Sequence, residues 1–328
     1  MIRAAIAGLG RWGRSFVESV RGSEKIRFVH GVETAAETRS ESTRRFAAQH
    51  EFALTDDLAR VTADPEVDAI VLATPHSLHR AQVIACAHAA KPVFCEKPLA
   101  LTLADARAMI EACKSAGVVL GVGHNRRFWP AIRELKRIVA SGELGELLHV
   151  EGHNSNENSN RVPDGWRLSP AESPGGGLTG AGLHVLDTFT HLLGPVRRVR
   201  AQRLLRKPEP APLDTVAALY EFANGSSGVL ATVRATPFYW RIHVFGTAGS
   251  AEVLGENAIF LHRSGARPQA ITLEPADSLL AELEAFADAI RGRAPFPITH
   301  AQMLDTTAAF EATLRALETG QPVEVNAR

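Results

Sequence analysis

The sequence has little of what marks a secreted, membrane or nucleic-acid-binding protein. Its 328 residues hold three cysteines, Cys86, Cys95 and Cys113, an odd number without metal-site spacing. That excludes a disulfide framework and reads as reduced, mostly buried thiols of a cytoplasmic protein. Neither sign of charge is in excess, with 36 lysines and arginines against 36 aspartates and glutamates. No basic stripe recruits nucleic acid, and no cationic balance attracts an anionic membrane. No apolar run approaches a membrane span, and the run in "MIRAAIAG" is too short for a signal peptide. Internal repeats and low-complexity tracts are absent too. What the chain does have is 45% hydrophobic residues over a length comfortable for two domains.

The first part alternates strand-like and helix-like segments. "IRAAIAG" is a short apolar strand, and "GLGRWG" follows it with Gly8, Gly10 and Gly13 around Arg11 and Trp12; then "RSFVESVRG" has helical spacing. A strand, G-x-G-x-x-G and a helix in that order is the context that makes this motif a dinucleotide site. The first glycine permits the turn, the second lets a pyrophosphate approach the backbone, and the third permits close helix–strand packing. The helix N-terminus adds amides and a positive dipole. A second strand ends at Glu33, 20 residues after Gly13. An acid there receives ribose hydroxyls and repels a ribose phosphate, which favours NAD over NADP, although Arg39 stands nearby. The alternation continues with the helix "ETRSESTRRFAAQH", the strands "FALT" and "VDAIVLAT", the helix "PHSLHRAQVIACAHAA", the strand "KPVFCEK", the helix "TLADARAMIEACKSAG" and the strand "VVLGVGH". A parallel, doubly wound sheet is expected, with its ligand at the carboxyl ends of the strands. Lys97 and the segment "TPHSLH" (74–79), with Thr74, Pro75, His76 and His79, fall at such ends.

With "GLGRWG", "ATPHSLH", "CEKPLA" and "GHNRRFWP" in order, followed by "DGWRLSPAESPGGGLTGAGLHVLD" with its G-x-H-x-x-D, the sequence resembles the Gfo/Idh/MocA oxidoreductase family over nearly its whole length. The resemblance implies an α/β chain with a Rossmann domain at 1–123 and a substrate and oligomerisation domain at 124–328. The second would be an open, mostly antiparallel sheet, and a C-terminal helix packing back on the Rossmann domain is allowed for. Strand-like runs such as "LLHVEGHN", "VRRVRAQRLLRK", "TVAALYEFA", "SGVLATVRA", "WRIHVFGTAG" and "AIFLHRSG" support that sheet independently. The polar "HNSNENSN" (153–160) reads as a loop. A homodimer or homotetramer is expected by resemblance only.

The resemblance also assigns roles. Lys97, held between Glu96 and Pro98, would bond the substrate oxygen and the nicotinamide ribose, and His184 would take the hydroxyl proton. His184 is expected in the first turn of a helix, whose positive end would keep the imidazole neutral. Thr74, Pro75, His76, His79 and Glu96 join the glycine loop and Glu33 as cofactor contacts. Arg127, Trp166, Arg167 and Asp187 join Lys97 and His184 as substrate contacts, an aromatic face with guanidinium groups suiting a sugar or anionic polyol. Many family members carry an aspartate four residues before the histidine; here that position is Gly180, and Asp187 or His153 is a candidate substitute. His184, Asp187 and His191 fall at i, i+3 and i+7, a spacing that permits a metal, but no metal is expected. The leading function is an NAD-dependent dehydrogenase of a sugar, sugar acid or cyclic polyol. The alternatives are a glycosidase or lyase using transient oxidation, and a non-catalytic nucleotide or sugar sensor.

Overall fold

The computed structural model describes residues 1–156, 166, 169–207, 213–234 and 236–325. The chain forms two compact units, Met1–Asn125 with Asp277–Met303, and Arg126–Ala276 with Leu304–Arg328.

In the first unit the elements run β1 (Ile2–Ala7), α1 (Arg11–Ser19), β2 (Ile26–Val32), α2 (Ala35–Arg39), α3 (Glu41–Gln49), β3 (Ala53–Thr55), α4 (Leu58–Ala63), β4 (Ala69–Leu72), α5 (His79–His88), β5 (Val93–Glu96), α6 (Leu103–Ala116) and β6 (Leu120–Gly123). The strands pair in parallel in the order β3-β2-β1-β4-β5-β6, the doubly wound arrangement expected. β4 and β5 are buried along their whole length, as strands covered on both faces must be. The helix expected over 37–50 is split: Ser40 is extended, with φ −61° and ψ 131°, and separates α2 from α3.

Residues 277–303 belong to this unit, although the division at 123/124 drawn from sequence places them in the second domain. Their helix, α9 (Ser278–Ile290), brings Phe286 to 5.7 Å from Phe94 of β5, and Phe296 packs edge-on to both rings. Gly121 of β6 makes room for this cluster, since a Cβ there would lie 2.8 Å from the Phe94 ring. Burying rings of this size stabilises the unit by roughly 1.5–3 kcal/mol each.

The second unit contains α7 (Pro130–Ala140), β7 (Leu147–Asn156), a π-turn (Leu178–Gly182), α8 (Leu183–Leu193), β8 (Val196–Lys207), β9 (Leu213–Phe222), β10 (Ser227–Arg234), β11 (Tyr239–Gly246), β12 (Gly249–Leu254), β13 (Ala258–Arg263), β14 (Gln269–Thr272), most of α10 (His300–Thr319) and β15 (Val323–Glu324). Among the described residues nine strands form an open sheet in the order β14-β13-β12-β11-β7-β10-β9-β8-β15, antiparallel except where β7 meets β10. Its two edges are its shortest strands, four residues in β14 and two in β15. Three strands, β12, β14 and β15, went unread in the sequence because each is short or runs straight out of a turn. Residues 153–156, expected in a loop, extend β7; pairing on both sides with β10 and β11 overrides their polar side chains. The rest of that stretch, 157–160, lies outside the described residues. α8 packs closely on the inner face where β7 has Gly152, whose Cβ would lie 2.3 Å from Val185 and 2.7 Å from Phe189.

Candidate active site

In the first unit the glycine loop is built as its spacing demands. Gly8 has φ +89°, and a Cβ on it would stand 2.6 Å from the Ala73 carbonyl oxygen. A Cβ on Gly13 would stand 1.8 Å from the Gly8 oxygen, so α1 and β1 close on one another only without a side chain there. Gly10 meets nothing within 4 Å, and α1 begins with no side-chain cap and no acid in its first turn. Its free amides therefore face open space, the arrangement that receives a pyrophosphate. The exposed Arg11 lies over the Trp12 ring at 5.7 Å. Glu33 turns back on the loop: its carboxylate accepts from the amide of Leu9 and, at 3.1 Å, from that of Thr34. These residues fit a dinucleotide.

Two strands from β1, at the end of β5, Glu96 and Lys97 are buried, 8% and 9% exposed. The Glu96 carboxylate accepts the Lys97 amide at 2.9 Å. It rests against Gly123 of β6, where a Cβ would stand 2.7 Å from Glu96 Oε1. Glu96 thus holds the backbone that carries Lys97, and the Lys97–Pro98 peptide is cis. Thr74, Pro75 and His76 are partly exposed, and Thr74 Oγ1 donates to Gln82 at 2.6 Å. His79, expected as a cofactor contact, is fully buried; its ring nitrogens lie 2.9 Å from the Pro98 carbonyl and 3.2 Å from the Thr74 carbonyl. It ties the 74–79 segment to the Lys97 turn from beneath. The cysteines are buried free thiols, pushed by burial up to about 12 for Cys86, to about 11 for Cys113 and well above the ordinary range for Cys95. Such thiols are inert.

In the second unit α8 carries His184, Asp187 and His191. The expectation that His184 occupies the first turn of a helix is corrected. The π-turn runs into α8 without a break, Gly182 being in the right-handed region and the Leu183 amide bonding the Leu178 carbonyl five residues back. The start of the helical run therefore lies ahead of the π-turn, where the Leu178 amide bonds the Gly175 carbonyl at 3.1 Å, and the dipole reason for a neutral His184 has no basis in its position. Gly180 is exposed, with nothing within 4 Å of a Cβ, whereas His184 is 5% exposed.

Asp187 and Arg127 form a buried, two-pronged ion pair. Arg127 Nε and Nη2 donate to the two carboxylate oxygens at 2.8 and 2.7 Å, with side-chain exposures of 4% and 1%. Thr306 of α10 donates to the same carboxylate at 3.2 Å. Arg127 Nη1 lies 3.2 Å from His191 Nδ1, and Lys136 of α7 donates to the His191 carbonyl at 2.8 Å. Burial, with the cations Arg127 and Lys136 nearby, lowers His191 to about 4, so its neutral ring accepts from the guanidinium. A guanidinium occupies the place between Asp187 and His191 that a metal would need. Three Arg127 nitrogens are engaged inside the protein, so Arg127 and Asp187 hold α8 rather than presenting free groups to a substrate. Trp166 is half-buried, and its carbonyl accepts from the Ser169 amide at 3.0 Å. Arg167 lies outside the described residues. His153 sits beside Tyr239, ring centroids 5.4 Å apart, and not beside α8. Sequence reasoning missed Asn154, Asp214 and Thr306, which act across long stretches of chain and carry no motif; the run of glycines at 175–177 was the one local sign.

A glycine-loop sheet of order 3-2-1-4-5-6 with a buried lysine at a strand end defines a dinucleotide-dependent oxidoreductase. The chain belongs to the Gfo/Idh/MocA family: residues 2–124 match the oxidoreductase family with NAD-binding Rossmann fold, and residues 132–252 match the GFO/IDH/MocA C-terminal domain. It is 30% identical over 309 residues to myo-inositol 2-dehydrogenase of Thermotoga maritima, covering 90% of each chain. It is 27% identical over 348 residues to the NAD(+)-dependent scyllo-inositol 2-dehydrogenase of Bacillus subtilis, covering 100% of this chain and 97% of the other. Its structure superposes with TM-score 0.86 on an aldose-aldose oxidoreductase from Caulobacter crescentus solved with glycerol, at 25% identity and 99% coverage of both chains.

Proposed function

We propose that the protein is an NAD-dependent dehydrogenase oxidising a secondary hydroxyl of a sugar, sugar acid or cyclic polyol. The observation that carries this reading is the buried Lys97, held by Glu96 at the same end of the parallel sheet as the glycine loop. The relatives with inositol and aldose substrates support the substrate class. The glycine loop and Glu33 would hold NAD, which would supply the hydride acceptor. Lys97 steadies the substrate oxygen as negative charge develops on it, and His184 takes the hydroxyl proton. Glu96 positions Lys97; Arg127 and Asp187 position α8. Glu33 favours NAD over NADP, since a ribose phosphate beside it would meet like charge.

Cytoplasmic location and self-association belong to the same proposal. Among the described residues no helix is long and apolar enough to cross a membrane. Leu219 and Val229, register partners on the outer face of the large sheet, are 45% and 39% exposed, as an association face requires.

The test is incubation with NAD and a panel of polyols, sugars and glycosides, following NADH absorbance and substrate mass together. Accumulating NADH that falls at least about a thousandfold in Lys97→Met supports the dehydrogenase. Glycoside turnover without net NADH would replace it with transient oxidation, the reading that the glycine at position 180 keeps open.

A further inference from the structure

Three consecutive glycines, Gly175–Gly177, precede the π-turn, and the chemistry proposed for His184 does not explain them. The structure does. Gly175 and Gly176 adopt φ +69° and +59°, and a Cβ on Gly176 would lie 1.8 Å from Asp214 Oδ2. The Gly177 amide donates to both oxygens of the same carboxylate, at 3.2 and 3.3 Å, and a Cβ there would stand 3.1 Å from Oδ1. Asp214, near the start of β9, has no exposed side-chain surface. Its charge is offset by Arg234 Nε at 3.0 Å and by Arg203 Nε at 3.8 Å. The glycine run is therefore a socket closed over a buried carboxylate, which no side chain other than hydrogen would allow.

We propose that Asp214 is a positioning residue for His184. By pinning the Gly177 amide it fixes where the π-turn begins, and with it the rotational setting of His184 seven residues further on. The inference rests on the reading of His184 as the proton acceptor. A π-turn holds one residue more per hydrogen-bonded ring than an α-turn. If its start slips by one residue, the turn reverts to α-helix and everything after it rotates by about 100°, the angle per residue of an α-helix. Asp214 blocks that slip at the beginning of the turn. Asn154 opposes it near the end, donating from Nδ2 to the Ala181 carbonyl at 3.0 Å while itself only 2% exposed. Two buried groups from separate strands thus grip a turn that α-helical hydrogen bonding alone would not favour.

The experiment compares wild type with Asp214→Asn, which removes the charge at constant volume, and with Gly176→Ala, which presses on the carboxylate from the other side. Hydrogen–deuterium exchange is followed across residues 177–186, beside kcat, KM and NAD affinity. Exchange in this segment is expected to rise at least about tenfold in both variants, the mark of a local opening. The kcat is expected to fall about ten- to a hundredfold, the cost of a misplaced catalytic group, with KM and NAD affinity within about twofold. Unchanged exchange in both variants overturns the proposal, as does raised exchange with an unchanged kcat. So does a loss of NAD affinity together with general unfolding, which would show a merely structural role. Should wild type oxidise no substrate on the panel, the dehydrogenase reading fails by itself, and the exchange data still decide whether Asp214 pins the turn.

Discussion

In the first unit, the atoms that would meet a nucleotide are mostly backbone: the amides at the start of α1, freed by glycines that no side chain replaces. On α8 in the second unit, the polar groups are side chains drawn from separate places in the chain, with Arg127 and Thr306 meeting Asp187 and His191. A backbone site depends on conformation and tolerates no added atoms. A side-chain site depends on charge balance and tolerates no missing partner. The two should fail differently, and three measurements test that contrast.

The largest effect is expected from Asp187→Ala. It strands the Arg127 guanidinium in a buried place, and losing one partner of such a pair costs about 3–5 kcal/mol. Urea denaturation should show the loss while NAD affinity stays near wild type. A cost below about 1 kcal/mol would mean that water reaches the pair and that the contrast is overstated. Next comes Gly13→Ala, which places a methyl group against the Gly8 carbonyl. NAD affinity should drop at least about a hundredfold, roughly 3 kcal/mol, and exchange protection around α8 should not change. Unaltered NAD binding would show that the glycine loop can give way. The smallest concerns pH. His191 is lowered from 6.5 to about 4, so between those values the unfolded chain holds a proton there that the folded chain does not. Stability therefore falls as pH is lowered through this window, by about 2 kcal/mol between pH 7 and pH 5. His191→Gln should flatten that slope. An equally steep slope in the variant would assign it to other groups.

The same contrast explains what could be read from sequence. The glycine loop and the Glu96–Lys97–Pro98 step are each short contiguous motifs at strand ends, so spacing pointed to the glycines and Glu33 and the family resemblance to Lys97, although Gly8 closes on Ala73 and Glu33 on Leu9 across the fold. The doubly wound order followed from the alternation of strands and helices. In the second unit, Arg127 finds its partner 60 residues away and Asp214 finds Gly177 at a separation of 37, distances at which sequence keeps no register. Helical spacing also misled there. It put His184 in a first turn, because a π-turn has no signature in composition. The polar side chains of 153–156 suggested a loop, while strand pairing on both sides decided otherwise.

The rims of the nine-stranded sheet carry a consequence of their own. A long bare strand edge offers unpaired amides and carbonyls to any neighbouring chain, and it is where runaway strand addition starts. Here one rim ends in the four-residue β14, mostly exposed and preceded by a turn at 264–265, and the other in the two-residue β15. β14 is too short a template to hold an incoming strand, but β15 pairs only with Arg198 and Val199 of the twelve-residue β8, so among the described residues the rest of β8 is the longer strand edge. The arginines that crowd β8, at 197, 198, 200, 203 and 206, are the charges that discourage a second chain from adding there, and replacing them with apolar residues would be the shortest route to aggregation.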